Sequence, residues 1–559
     1  MTVHMQHWAG PLEPVITSPY LPLALSTPLI LVFLYIAIPY FTTHASLQKY
    51  PGPTAAKFTQ LWLAKQTRYG NRSEVVHEEH LRNGKFVRIG PKEVSINDPA
   101  ALPIVYAHGS GSIKSTFYSA FLASKVSGLF NTRDRAEHTR KRKIVSHTFA
   151  PKSVREFEPY ISGTVRGLLR KWDDLCAKAA ASPTASGNKK DLQGWAIIES
   201  LDWFNALAFD IIGDLAFGAP FGMIDRDAAD TVPITREDGS VFYAPAVQIL
   251  NMRGEYSATL GCLPPWIRPY MKYIDPWFAR GLDAVNNLTG IARTRVNQRL
   301  KDGAGDRKDI LSHLQNGRDA DGNPMGVPEL TAEAHCRIRH DLELELVSAH
   351  RIGGDVWDQD ADVNIGGRSA IMYYLSKNQA AQKKLQEELD ATFGPRGIEG
   401  VLDFEDVKAL PYLDACINEA LRVHSTSSMG LPRIMTQQTE VCGEVFPPGT
   451  ILSVPSYSIH RIKEIWGNDP DEFRPERWLE SEAKTRELEK ALNIFSYGPR
   501  SCVGRNVAMM ELFTFISTLC LRYDFRLADP EKQKVLPCVE GFLRKPTECK
   551  LAIRRREVS

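Results

Sequence analysis

The chain has 559 residues, 43% of them hydrophobic, with 68 Lys and Arg against 66 Asp and Glu. That composition can bury a large core and excludes a disordered or collagen-like chain. A net charge of +2 with no basic block supplies no field for a polynucleotide, so nucleic acid is not an expected partner.

From Pro14 to Gln48 there is no Asp, Glu, Lys or Arg, and residues 20–41 read YLPLALSTPLILVFLYIAIPYF. This is about the 20 apolar residues that cross a bilayer, and prolines are better tolerated there than in soluble helices. A signal peptide is the weaker reading, because no basic residue precedes the run, no small-x-small site follows, and Lys49 is the first basic residue after it. The other alternative is an apolar segment that is buried or lies in the membrane interface. As an anchor, the run places the body on the cytosolic side by the positive-inside rule. The expected organisation is an N-terminal anchor segment over 1–48, a hinge over 49–53 built on TyrProGlyPro, and a globular body over 54–559.

Within the body the pattern is mainly α with a small β component. Phe86 to Ile96 and Glu440 to Val454 read as short β runs, while Asp202 to Phe217 and Gln379 to Phe393 have helical periodicity. Ala177 to Asp191, Asp302 to Asp309 and Asn316 to Gly326 read as loops. The nine cysteines have wide, irregular gaps and no CxxC pair, which argues for thiols in a reducing compartment and against a structural zinc site.

Phe495 to Gly504 reads FSYGPRSCVG, followed by the helix-length run RNVAMMELFTFISTLCLRY. Cys502 thus sits in a glycine-bounded loop at a helix N-terminus, where the helix dipole favours thiolate. Gly498 and Gly504 are expected to allow unusual dihedrals and the close approach of a flat ligand, and Arg500 to supply a fixed cation. An axial thiolate to haem iron needs such surroundings. Upstream, Glu419 and Arg422 lie one helical turn apart in NEALR, where they can pair with each other and with Arg477 of FRPERW.

The decapeptide from Phe495, the NEALR motif and the FRPERW run, in this order, resemble the cysteine, ExxR and PERF signatures of the cytochrome P450 superfamily. The resemblance implies a P450 fold, haem b (iron protoporphyrin IX) with Cys502 as axial ligand, and a core lock of Glu419, Arg422 and Arg477. It also implies cofactor contacts from Phe495, Gly498, Arg500 and Gly504, with haem-propionate donors at His138 and Arg142 of HTRKR and at Arg433 of LPR. For His138 a solvated helix face is the alternative, given the charges from Arg133 to Lys143. GLFNTRDRAEHTRKRKIVSHTF (128–149), WFNALAFDIIGDLAFGAPFGM (203–223), HSTSSMGLPR (424–433) and VPSYSIHRIKEIWG (454–467) resemble the fungal benzoate 4-monooxygenases within that superfamily. This implies para-hydroxylation of benzoate with electrons from an NADPH-cytochrome P450 reductase, at the endoplasmic reticulum membrane with the haem domain facing the cytosol. An enzyme acting on another small aromatic, or a haem-binding protein impaired in catalysis, are the alternatives. An unpaired buried carboxylate is costly, so a donor must hold the substrate carboxylate, and the position of Lys114 to Phe121 and Ser425 to Leu431 in the family makes them the candidates that the resemblance implies.

One segment departs from the family. A central helix with a small-Gly-x-acid-Thr motif is expected before AIMYYL, but His335 to Ser369 carries 11 Asp, Glu, Lys or Arg residues and no such motif. The catalytic acid and alcohol are therefore unassigned. Arg337, Arg339, Asp341, Glu343 and Glu345 recur at period two, which spreads charge around a helix, so no buried helix is expected here. A calcium loop from Asp358 fails, with Val363 where Gly and Ser369 where Glu are needed. The segment reads as a retained intron or shifted frame, or, if real, as a loss of oxygen activation.

Overall fold

The computed structural model describes residues 37–121, 128–181, 190–236, 238–302, 307–310 and 362–557, with positions 26–27, 31, 33–34 and 313. Among these residues helices dominate, and the strands form five small sheets. The largest sheet has the order Phe86–Gly90, Glu93–Ile96, Ile451–Ser453, Arg433–Met435, Ser112–Lys114. Its pairs are antiparallel except where Ile451–Ser453 runs parallel to Glu93–Ile96. The run predicted over 86–96 is thus a hairpin, with a register shift between Arg88 and Gly90. The predicted run over 440–454 divides into a short hairpin of Thr439–Val441 with Glu444–Phe446 and the separate strand Ile451–Ser453.

Two helices make the centre of the core. Arg505–Arg522 is buried almost throughout, as is Ser200–Phe217, whose apolar residues run round the whole cylinder. Phe204 meets Phe515 edge-on at 5.4 Å, and Trp172 of the Glu158–Ala181 helix packs at 5.7 Å from Tyr523. The predicted helix at 379–393 is found as Gln379–Phe393; the Asn378 side chain accepts from Ala381 N at 3.1 Å, and Gly394 with φ +58° ends it.

Some expectations change. Residues 177–181, read as loop, continue the Glu158–Ala181 helix, because Cys176 and the residues before it give that helix a buried face. The loop predicted over 316–326 and most of 335–369 lie outside the described residues. The end of that segment is helical: Asp362–Lys377 forms one helix, and Gly366 to Ala370 are buried. Burial is possible there because Arg368 pairs with Glu511 of the Arg505–Arg522 helix, and Gly367 lets Leu421 pack closely against the backbone. Most of the apolar run at 20–41 also lies outside the described residues, and among those described no helix is long and apolar enough to cross a membrane. The TyrProGlyPro turn is packed against the body. Tyr50 stacks on Phe446 at 5.3 Å and donates to Glu444 at 3.0 Å, and Arg88 N donates to Pro51 O at 2.7 Å.

Candidate functional site

The loop before the Arg505–Arg522 helix is held by its own backbone. Cys502 N donates to Phe495 O at 2.9 Å and Ser501 N to Gly498 O at 3.0 Å, folding 495–502 back on itself. Gly498 has φ +73°, and a Cβ there would lie 2.2 Å from Tyr106 O, so the loop docks where no side chain fits. Gly504 differs from expectation: at φ −81° and ψ 3° it is the helix N-cap in a conformation open to other residues. Cys502 is half-buried. Another cysteine, Cys262, is buried in the last turn of the Ala246–Cys262 helix, within 3.4 Å of Thr67 Oγ1 and Ala258 O; burial pushes its thiol up.

Around the Cys502 loop lies a group of cations. The Arg135–Ser146 helix starts at Asp134, whose side chain caps Glu137 N at 2.8 Å, and turns His138 and Lys141 inward. His138 is 4% exposed, so the solvated-face alternative falls. Arg142 Nη1 donates to Ser501 O at 2.6 Å, linking that helix to the cysteine loop. Arg500 donates to Thr132 O at 2.5 Å and to Asp134 O at 3.2 Å. Arg433 Nη1 donates to Tyr118 at 2.8 Å, while its buried Nη2 has no hydrogen-bond partner among the described residues. Burial, then the charges of Arg500, Lys114, Arg142 and Arg433, hold His138 down at about 2. Burial and Arg433 likewise bring Arg500 down to about 10. Such a set, with an orphaned guanidinium nitrogen, fits a dianionic ligand such as a pair of propionates.

Behind this region, Glu419 and Arg422 of the Pro411–Val423 helix are fully buried. Arg422 donates to Glu419 through Nε at 2.9 Å and Nη2 at 2.8 Å, and Arg477 Nε donates to Glu419 at 2.8 Å. The structure adds a donor that the sequence did not suggest: Trp478 Nε1 reaches Glu419 Oε2 at 3.0 Å. Burial alone would raise the Glu419 carboxyl, but the hydrogen bond and charge of Arg422, with Arg477, bring it below the usual range.

Next to the cations is an aromatic cluster of Phe117, Phe121, Phe130 and Phe542, with neighbouring ring centroids 5.0–5.4 Å apart. Lys114 Nζ lies 4.5 Å and 4.6 Å from the Tyr118 and Phe130 rings, and the buried Arg253 faces Phe121 at 5.9 Å. Both stretches nominated for the substrate carboxylate reach this cluster, 114–121 directly and 425–431 through Met429. Two hydroxyls of the second are engaged elsewhere, Ser425 Oγ with His460 Nδ1 at 2.5 Å and Ser428 Oγ, which donates to Ser425 O, whereas Thr426 Oγ1 is buried with no hydrogen-bond partner among the described residues. Sequence reasoning had not placed Lys114 among the propionate-type cations, and Tyr118 and Arg253 had been given no role of their own. Tyr118 meets Arg433, and Arg253 meets Phe121, across long sequence separations, so no local pattern marks them, whereas Lys114 meets Tyr118 and Phe130 within sixteen positions.

The sequence profile described as cytochrome P450 matches residues 51–335 and 367–553, and the unmatched residues between lie within the departing segment. A benzoate 4-monooxygenase (bphA) of Aspergillus niger is 42% identical over 537 residues, covering 95% of this chain and 96% of its own. The cytochrome P450 monooxygenase gsfF of Penicillium aethiopicum is 29% identical, covering 91% and 94%. The monooxygenase cicH of Emericella nidulans is 26% identical, covering 89% and 92%. A match over most of the chain, with the cysteine loop, the buried Glu–Arg pair and the cation group in one fold, leaves one conclusion: the chain belongs to the cytochrome P450 family, and is a haem b-dependent monooxygenase.

Proposed function

We propose that the protein hydroxylates a small aromatic acid, benzoate to 4-hydroxybenzoate, with O2 and electrons from an NADPH-cytochrome P450 reductase. The observation that carries this reading is the 42% identity, over 95% of the chain, to the Aspergillus niger benzoate 4-monooxygenase. The aromatic cluster beside buried cations agrees with it: apolar rings accept the benzene ring, and a guanidinium such as that of Arg253 offsets the cost of desolvating the carboxylate.

In this reading Cys502 ligates the haem iron, and the bound haem supplies the oxygen activation. The chain's residues bind and orient. Arg142, Arg433, Arg500 and Lys114 hold the propionates, with the neutral His138 as a hydrogen-bond partner. Phe495, Gly498 and Gly504 form the loop that would hold the haem, and Glu419, Arg422 and Arg477 fix the core behind that loop. The aromatic wall excludes water from the ring to be attacked. The uncharged N-terminal run anchors the protein in the endoplasmic reticulum membrane with its body in the cytosol. Exposed Leu61, Trp266, Tyr270 and Tyr273 support a membrane-facing surface.

The test is turnover: holoprotein with reductase, NADPH and benzoate should yield 4-hydroxybenzoate, and Arg253→Met should raise the benzoate KM at least tenfold while retaining haem. Turnover of neutral aromatics with no turnover of benzoate would overturn the substrate assignment.

A further inference from the structure

We propose that Glu540 is a positioning residue for the hydroxylation: clamped to Ser73, it seats Phe542 in the aromatic cluster and so fixes which carbon of the substrate ring is presented for attack. This deepens the reading of that cluster as the substrate pocket and rests on it.

Cys538–Glu540 and Arg544–Pro546 pair as an antiparallel hairpin with Glu540 opposite Arg544, which leaves Gly541, Phe542 and Leu543 as its tip. Phe542 is 6% exposed and meets Phe121 edge-on at 5.0 Å and Phe130 at 5.1 Å. A three-residue tip cannot swing independently of the strands that carry it. What holds the end of the first strand therefore places the ring.

Glu540 supplies that hold. Its Oε2 accepts from Ser73 N at 2.7 Å and its Oε1 from Ser73 Oγ, while Glu540 N donates to Gly70 O at 2.9 Å. Ser73 is the second residue of the Arg72–Asn83 helix, whose N-cap, Asn71, makes no side-chain cap bond among the described residues. A carboxylate from 467 positions away thus takes the place of the local cap and meets the positive end of the helix dipole. Glu540 is 2% exposed; burial pushes its carboxyl up, against the two Ser73 bonds and the charges of Arg72 and Arg544. A buried carboxyl that lost those bonds would be costly, so the side chain is confined to one place. The second strand is tied separately. Arg544 N donates to Thr426 O at 2.8 Å, and Lys545 Nζ to Asn251 Oδ1 at 2.9 Å. At the tip, a Cβ on Gly541 would lie 3.0 Å from Glu255 N, so the hairpin also presses on the Ala246–Cys262 helix.

The test is a double-mutant cycle on the haem-loaded protein. Titration with 4-phenylimidazole, which coordinates iron and carries a phenyl ring into the pocket, is compared with imidazole, which lacks the ring. Glu540→Ala should weaken 4-phenylimidazole about fivefold, the scale of one aromatic contact, and leave imidazole within about twofold. Glu540→Gln, whose amide oxygen still accepts from Ser73 N, should recover most of the loss. In a Phe542→Ala background, Glu540→Ala should add less than about twofold, because the ring through which it acts is gone. With reductase and NADPH, Glu540→Ala should give a mixture of hydroxybenzoate isomers where the wild type gives the 4-isomer. Equal weakening of imidazole, an undiminished effect in the absence of Phe542, unchanged 4-phenylimidazole binding or an unchanged isomer ratio would each overturn the proposal. If Glu540→Ala does not fold, Ser73→Ala, alone and with Phe542→Ala, decides by the same cycle. A wild type that forms no hydroxybenzoate would refute the substrate assignment alone, because the titration cycle needs no turnover and still decides the clamp.

Discussion

Replacing Glu419 with Gln tests the electrostatic logic of the core most directly. The Glu419 carboxylate accepts from Arg422 Nε and Nη2, Arg477 Nε, Trp478 Nε1 and Arg474 N, all between 2.8 and 3.1 Å. Both guanidinium groups are at most 2% exposed. Glutamine keeps the shape but removes the charge and turns one acceptor oxygen into an NH2 that faces donors. Removing one partner of a buried ion pair costs about 3–5 kcal/mol. Backbone carbonyls offset part of this, since Arg422 Nη1 also donates to His460 O at 2.8 Å and Pro470 O at 2.6 Å. About 4 kcal/mol is therefore expected, a large share of the roughly 5–15 kcal/mol by which domains are stable. An exposed pair sets the scale: breaking Arg82–Glu79, whose arginine is 64% exposed, by Glu79→Gln should cost under about 1 kcal/mol. Urea unfolding of the haem-loaded protein, followed by fluorescence and by the carbon monoxide spectrum, measures both. A Glu419→Gln protein within about 1 kcal/mol of wild type would refute the reasoning, since it would mean that the buried guanidinium groups are satisfied without the carboxylate.

Cys502→His should abolish the red-shifted carbon monoxide absorption of thiolate-ligated haem, whereas Cys262→Ala should keep it; the reverse would move the ligand to Cys262. Acid should destabilise the fold from about pH 6.5 downward. Burial holds His80 at about 4, and His424 and His460 at about 3, so below 6.5 the unfolded chain binds protons that the folded chain refuses. Each such histidine then removes up to about 1.4 kcal/mol per pH unit, and His460→Asn should flatten the measured slope. Removing residues 1–48 should move the protein largely into the soluble fraction with its haem retained, as fractionation and haem content would show. Sequencing the mature transcript should show, in place of the codons for the unmatched residues 336–366 of the departing segment, a shorter segment that is apolar on one face and carries a small-Gly-x-acid-Thr pattern.

The parts legible in the sequence are those fixed by local spacing. Glu419 and Arg422 are three residues apart on one helix, and the 495–504 loop closes through the 502-to-495 backbone bond. The helix over 379–393 could be read to its ends because Asn378 and Gly394 are local stop signals. What stayed hidden is assembled across the chain. The bond between Tyr118 and Arg433 spans 315 positions, and Ser73 is tied to Glu540 over 467. Gly504 misled because glycine spacing cannot say which glycine needs a left-handed backbone; only Gly498 of this pair, pressed on Tyr106 O, does. The expectation that 335–369 holds no buried helix failed at its end for a related reason. Charge patterning counts Arg368 as a surface residue, but its partner Glu511 lies 143 positions away in the Arg505–Arg522 helix, which is buried almost throughout.

The cation group makes the same point in the language of energy. Arg142, Arg433 and Arg500 bond backbone carbonyls and the Tyr118 hydroxyl, acceptors that satisfy donors without cancelling charge. Their mutual repulsion is visible in how far burial and neighbouring positive charge depress His138 and Arg500. A fold that concentrates like charges in a low dielectric gives up stability, and that loss is recovered when a dianion enters among them. Ligand binding to the native state alone adds RT ln(1 + [L]/Kd), so haem uptake and folding are one coupled equilibrium here. Neutralising a single arginine of the group therefore acts in two opposed directions. It relieves repulsion in the haem-free chain and weakens the hold on the cofactor, and the balance between the two separates a binding residue from a structural one.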